Sequence, residues 1–127
     1  MIVNDPATLA EVTALVLRYE QALGDNDIAT LDAMFWQSDR VIRFGVGECL
    51  YGTAEILAFR KGRAGGSPPR EVLRMDIVTT GHDHAVANVT FRRIGGDRIG
   101  RQSQTWVRLA EGWRIIAAHV SLQGDLS

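Results

Sequence analysis

Ile99-Gly100-Arg101-Gln102-Ser103-Gln104-Thr105-Trp106-Val107-Arg108, then Leu109-Ala110-Glu111-Gly112, then Trp113-Arg114-Ile115-Ile116-Ala117-Ala118-His119-Val120-Ser121-Leu122 reads as two strands around a tight turn, a β-hairpin. For a loop of two or four residues, paired positions sum to an odd number. Even positions of the first strand then share a face with odd positions of the second. One face is expected to carry Gln102, Gln104, Trp106, Ile115, Ala117, His119 and Ser121. The other is expected to carry Ser103, Thr105, Val107, Ile116, Ala118 and Val120. Amides, an imidazole, a hydroxyl and an indole together suit the wall of a small-molecule pocket better than pure core.

Working outward, two further strands precede the hairpin, roughly Arg70–Thr79 and Ala85–Arg93, with turns at Gly81-His82-Asp83 and Gly95-Gly96. Asp5-Pro6 opens a helix as N-cap and first helical position. Its apolar stripe, Leu9, Val12, Val16, Tyr19 and Leu23, runs to Gly24. A second helix carries Ile28, Leu31, Met34, Phe35 and Trp36. Arg40 to Val46 alternates like a strand, and Thr53 to Phe59 reads as a third helix. Lys61 to Pro69 is a Gly- and Pro-rich loop. Helices followed by a long antiparallel meander make an α+β fold, a strongly curved sheet around a long helix with a pocket at the open end.

The chain has 127 residues, 46% hydrophobic and 23% charged, the balance of a single globular domain over 1–127. A formal net charge of −1 gives no reason to expect a nucleic-acid or membrane partner. No apolar run reaches the roughly 18 residues of a membrane span, and the first residues lack a signal peptide's basic and apolar regions. The single Cys49 cannot form an internal disulfide and fits a reducing, cytoplasmic setting. His82-Asp83-His84 lies at a turn, where two imidazoles rarely converge, so no metal site is expected there. The glycine-rich stretches lack the lysine and context of a phosphate loop. No cofactor is expected.

Val3-Asn4-Asp5-Pro6, Phe35-Trp36, Arg43-Phe44-Gly45-Val46-Gly47-Glu48 and Gly100-Arg101-Gln102-Ser103-Gln104-Thr105-Trp106-Val107-Arg108 span nearly the whole chain. With the terminal Gly112-Trp113 to Ser121, they resemble the NTF2-like (SnoaL-like, cystatin-like) superfamily, and within it the small AtzH-like and HpxZ-like branch. The resemblance implies a cone-shaped α+β fold, dimeric or higher, with a pocket between the sheet and the helices. It also implies breakdown of ureido acids: amidohydrolysis of a dicarboxylated urea to allophanate for AtzH-like proteins, or a role in oxalurate metabolism. It assigns the central pocket roles to Tyr19 and Arg43. The superfamily hosts many chemistries, so the fold alone does not choose among them.

The residues themselves allow two readings each. Tyr19, on a buried helical stripe, is either a hydrogen-bonded core tyrosine or a proton carrier made more acidic by a guanidinium. Arg43, between Ile42 and Phe44, faces outward, pairs with an internal carboxylate, or awaits an anionic ligand it could grip with two hydrogen bonds. Gln102 and Gln104 could read urea N–H and C=O groups, and His119 could accept a proton from water. Ser121 has no triad partners in view. Trp36, Trp106 and Phe59 either line the cavity or pack the core, and Trp113 anchors the sheet. Arg60, Lys61, Arg63, Arg70 and Arg74 bracket the loop as solvated charges or as a basic lid, with Arg74 the one expected to reach a substrate.

The sequence therefore supports a metal-independent amidohydrolase for a small anionic ureido substrate, with or without decarboxylation. Tyr19 and Arg43 would be catalytic, and Gln102, Gln104, His119, Ser121, Trp36, Trp106 and Arg74 would bind substrate. The alternative is a non-catalytic binding or accessory subunit with an amidase partner. Val107, Ile116, Ala118 and Val120 on the outer face of the hairpin predict a homodimer, or a higher assembly, through that face.

Overall fold

The computed structural model describes residues 1–124. Helix α1 spans Pro6–Gly24, α2 Ile28–Met34 and α3 Thr53–Gly62. Strands β1 (Ile42–Phe44), β2 (Cys49–Tyr51), β3 (Arg70–Thr80), β4 (His84–Arg93), β5 (Ile99–Leu109) and β6 (Gly112–Leu122) form one sheet in the order β2-β1-β6-β5-β4-β3. All neighbours pair antiparallel except β1 with β6. The class is α+β, as expected; the strand Arg40–Val46 shortens to β1, and β2 after it, pairing with it as a short hairpin, was not read from the sequence.

Asp5 caps α1 by accepting from the Thr8 N–H at 3.1 Å and the Thr8 hydroxyl at 2.7 Å. Asn4 adopts φ 59°, and its backbone N–H donates to the Thr79 carbonyl at 3.0 Å. Its side-chain oxygen accepts from the Thr79 N–H at 2.9 Å. The Val3-Asn4-Asp5-Pro6 motif thus fastens the start of α1 to the end of β3. Helix α1 then lays Val12, Val16, Tyr19 and Leu23 on the inner face of the sheet, against a core that includes Ala85, Ala87, Val89, Trp106 and Ile115.

Two β-bulges decide which side chains face that core. In β5–β6 the register shifts between Thr105 and Trp106: Trp106 pairs with Ile115, but Thr105 pairs with Ala117. Ile116 is the extra residue, and it reverses the alternation of the strand beyond it. Trp113 and Ile115 face inward, and so do Ala118 and Val120. The continuous alternation expected from the sequence therefore fails halfway along β6. His119 and Ser121 lie on the outer face with Arg101 and Ser103, opposite the side of Gln102 and Gln104. Ala118 and Val120, expected outside, are buried.

The second bulge lies between Val72 and Arg74 in β3. Before it, Arg70 and Val72 pair with Arg93 and Phe91; after it, Met75, Ile77 and Thr79 pair with the buried Val89, Ala87 and Ala85. Arg74, paired with Thr90, is turned away from the core.

Candidate functional site

Between α1, the end of α3 and the inner face of the sheet lies a small pocket, its cavity volume ≈ 30 Å³. Tyr19, Arg43, Glu48, Arg63, Arg70, Phe91, Arg93 and Gln102 supply most of its chemistry. Four guanidinium groups against one lining carboxylate give it a positively charged wall, although the whole chain carries a net charge of only −1.

Each arginine arrives from a different element. The parallel register of β1 with β6 sets Arg43 beside the inward Ala118. Arg43 is buried, donates to Glu48 at 3.1 Å from the turn after β1, and lies 5.8 Å over the Phe59 ring. The internal ion pair is thus present, and Arg43 still lines the pocket. Arg63, just beyond α3, stacks on the same ring at 5.2 Å. Burial lowers its pKa; Arg43 lowers it further, Glu48 opposes, and Arg93 and Arg60 add to the lowering. Positive charge is therefore crowded there. Arg70 sits 4.2 Å over Phe91 and is held by both carboxylate oxygens of Glu20. Arg70 and Arg93 face each other across β3–β4, a like-charge pair that an anion would relieve.

Gln102 is buried, and its Oε1 accepts from Arg70 Nη2 at 3.0 Å. A guanidinium can only donate, so this bond fixes the amide orientation and leaves Nε2 as the free end. That Nε2 is buried without a partner among the described residues. Gln102 can therefore read an acceptor, a carbonyl or carboxylate oxygen, and not an N–H.

Tyr19 is 2% exposed, and its hydroxyl accepts from Arg60 Nη2 at 3.2 Å. Burial pushes the phenol's pKa up. The charges of Arg60 and Arg43, the Arg60 hydrogen bond and the Arg70 charge together outweigh burial, so the pKa falls below the ordinary phenol range.

The structure brings Tyr19, Arg43 and Gln102 together in this pocket. Gln104 is buried beneath it, accepting from the Trp106 indole at 3.0 Å, and Trp106 is fully buried core. Trp36 packs partly buried against the core, outside the pocket lining. His119 and Ser121 are on the far face for the reason given above; His119 packs edge-on against Phe44 at 5.6 Å. Arg74 is exposed and paired with Asp76 at 2.7 Å, so Arg70 occupies the place expected of it.

Sequence reasoning missed Glu48, Glu20 and Arg93, and it read Arg60, Arg63 and Arg70 only as members of a charge run. Arg60 had a detectable signal: it stands four residues after the buried Ile56, on the same helical stripe.

The AtzH-like family model matches residues 1–125. A protein of unknown function of the DUF3225 family from Pectobacterium atrosepticum is 52% identical, with 96% of this chain and 95% of that chain covered and a TM-score of 0.91. A cystatin-like fold protein from Burkholderia xenovorans is 39% identical over 98% of both chains, with a TM-score of 0.93. An NTF2-like protein of unknown function from Pseudomonas putida, 21% identical over 95% of this chain and 90% of that one, has a TM-score of 0.80 and speaks for the fold alone. No curated protein matches the chain. The α+β cone is the NTF2-like, cystatin-like fold, and the chain belongs to the AtzH-like family.

Proposed function

We propose that the protein is an amidohydrolase for a small ureido carboxylate, with a dicarboxylated urea as the first candidate substrate and oxalurate as the second. One observation carries the reading: a buried phenol ringed by guanidinium groups, opening into a pocket lined by four arginines. Such a site takes a small anion, and its phenol can move a proton to or from it.

In this reading Arg43, Arg63, Arg70 and Arg93 draw the substrate in and hold its carboxylates. Arg43 polarises the adjoining carbonyl, and the free Nε2 of Gln102 donates to a substrate oxygen. For a dicarboxylated urea, the bond that breaks joins a urea nitrogen to a terminal carboxylate carbon. Its electron pair goes to the nitrogen and is delocalised into the carbonyl facing the guanidinium groups. Tyr19 gives that nitrogen a proton, carbon dioxide leaves, and allophanate remains. The phenolate that results sits among positive charges and takes its proton back from water; the hydroxide left combines with the carbon dioxide as bicarbonate, so the net reaction is a decarboxylating hydrolysis.

The test is turnover of freshly prepared 1,3-dicarboxyurea and of oxalurate by the purified protein, followed as carbon dioxide (or bicarbonate) and allophanate formation for the first and as loss of the starting compound for the second. Turnover of at least one is expected. Tyr19→Phe and Arg43→Ala should each lower it by about 10²-fold or more, the scale of a lost proton carrier or oxyanion donor. Full activity in either variant removes that residue from the mechanism. Binding of both compounds without turnover would replace the enzyme with an accessory subunit.

A further inference from the structure

Arg60 is a buried cation without a buried anion. It is 6% exposed, its Nε has no hydrogen-bond partner, and among the described residues no carboxylate lies within ion-pair distance. Its guanidinium lies 5.5 Å over the Phe35 ring, and the one side-chain hydrogen bond it makes among the described residues goes to the Tyr19 hydroxyl. Burying an unpaired charge is costly, so the polar groups that Arg60 meets matter.

The Tyr19 oxygen is such a group. It accepts from Arg60, and its own O–H finds no acceptor among the described residues. The charged groups around it are Arg43 of β1 with Glu48 of the following turn, Arg60 of α3, Arg63 beyond it, Arg70 of β3 with Glu20 of α1, and Arg93 of β4. The two carboxylates are each engaged by an arginine of their own. The O–H is therefore left free to donate to a bound molecule, and the phenolate that results keeps the Arg60 donor.

We propose that Arg60 is a positioning residue that fixes the Tyr19 hydroxyl and sets its proton affinity: Tyr19 rests as the protonated phenol, and the buried guanidinium is the counter-charge of the phenolate left when that proton is given up. It acts through Tyr19 and does not touch the substrate. The acidity follows from the pocket alone; only its use in turnover rests on the proposed function.

Tyr19 and Tyr51 are the only two tyrosines, and Tyr51 is exposed, so Tyr51→Phe leaves a single phenol to observe. The experiment is a pH titration of the tyrosine ring-carbon signal in Tyr51→Phe protein carrying ¹³C-labelled tyrosine, without substrate. The Tyr19 midpoint is expected below the value of about 10 for a free phenol. Adding Arg60→Met should raise it by about one pH unit or more, a tenfold gain in proton affinity. Arg60→Lys, which keeps the charge, should return part of the shift. A Tyr19 midpoint at or above that of a free phenol overturns the proposal even if Arg60→Met does not fold. A midpoint unmoved in a folded Arg60→Met overturns it equally.

In turnover, Arg60→Met should lower kcat with little change in KM. The alkaline limb should move to higher pH, because Tyr19 must carry its proton to donate it. A low midpoint that moves with Arg60, in a protein inert toward both ureido carboxylates, would uphold the pair and reject the substrate assignment.

Discussion

A methyl group at position 45 would collide with the carboxylate of Glu48, which folds back over Gly45 to reach Arg43. The glycine is what lets that ion pair form on the pocket wall. Because the obstacle is the end of a flexible side chain, Gly45→Ala should keep the fold and displace Glu48, lowering the melting temperature because buried Arg43 loses its anion. Arg43 is buried and the Glu48 side chain is only 22% exposed, so the pair is largely shielded from solvent, and its carboxylate competes with any anion that approaches Arg43. Gly45→Ala and Glu48→Gln are therefore both expected to lower KM for a dianionic substrate by about three- to tenfold. If neither lowers KM, Glu48 does not compete for Arg43. At this scale the sequence was partly legible. Tyr19 and Arg43 stood out because a polar group on an apolar stripe must find a partner. Gln102 stood out only as half of a pair of amides; that its NH₂ end is the free one depends on Arg70, thirty-two positions away in the chain. Arg60 was hidden by its neighbours, since one buried arginine beside Lys61 and Arg63 looks like part of a solvated run.

Helix α1 and the long strands β3–β6 were read closely from turn residues and caps, but α2 stops at Met34, short of Phe35 and Trp36, β2 was missed, and the faces of β3 and β6 were not read correctly. Alternation is a local rule, and one inserted residue reverses it for everything downstream. The bulges at Leu73 and Ile116 leave no mark in composition, because both inserted residues are ordinary strand formers. Without the first, Arg70 and Arg74 would share a face; without the second, His119 would stand beside Gln102. The bulges thus choose which polar groups enter the pocket. Packing of β4 on β5 adds a further constraint. Gly100 pairs with Phe91, and a Cβ there would strike the Phe91 ring, on which Arg70 is stacked. Gly100→Ala must move that ring, at a cost of about 1–3 kcal/mol for an overpacked site. It should therefore lower the melting temperature and raise KM together. A stable variant with lower affinity would mean the ring shifts freely, and an unstable one with unchanged KM would mean Arg70 does not depend on its support.

Across the whole molecule the helices cover one face of the sheet and leave the other bare. No helix among the described residues is long and apolar enough to cross a membrane, so the bare face is not explained by a helical span. The sequence placed Ala118 and Val120 on that face, and both are buried within the chain. The outer surface is built instead by Ile42 and Phe44 of β1 with Thr105, Ala117 and His119, which line a shallow depression. The short parallel strand β1 is what joins Phe44 to this patch while turning Arg43 inward. Apolar side chains on an uncovered sheet face favour association, and a second copy of the chain, offering the same patch across a two-fold axis, is the occupant expected. Light scattering at micromolar concentration should therefore give twice the chain mass. Ala117→Arg, which puts a charge at the centre of the contact and touches nothing in the pocket, should give the chain mass with turnover per chain retained. A wild-type monomer refutes the association outright. A dimer that survives Ala117→Arg moves it to another surface, where the half-exposed strand β3, with Val72 and Val78 at the sheet edge, is the next to test.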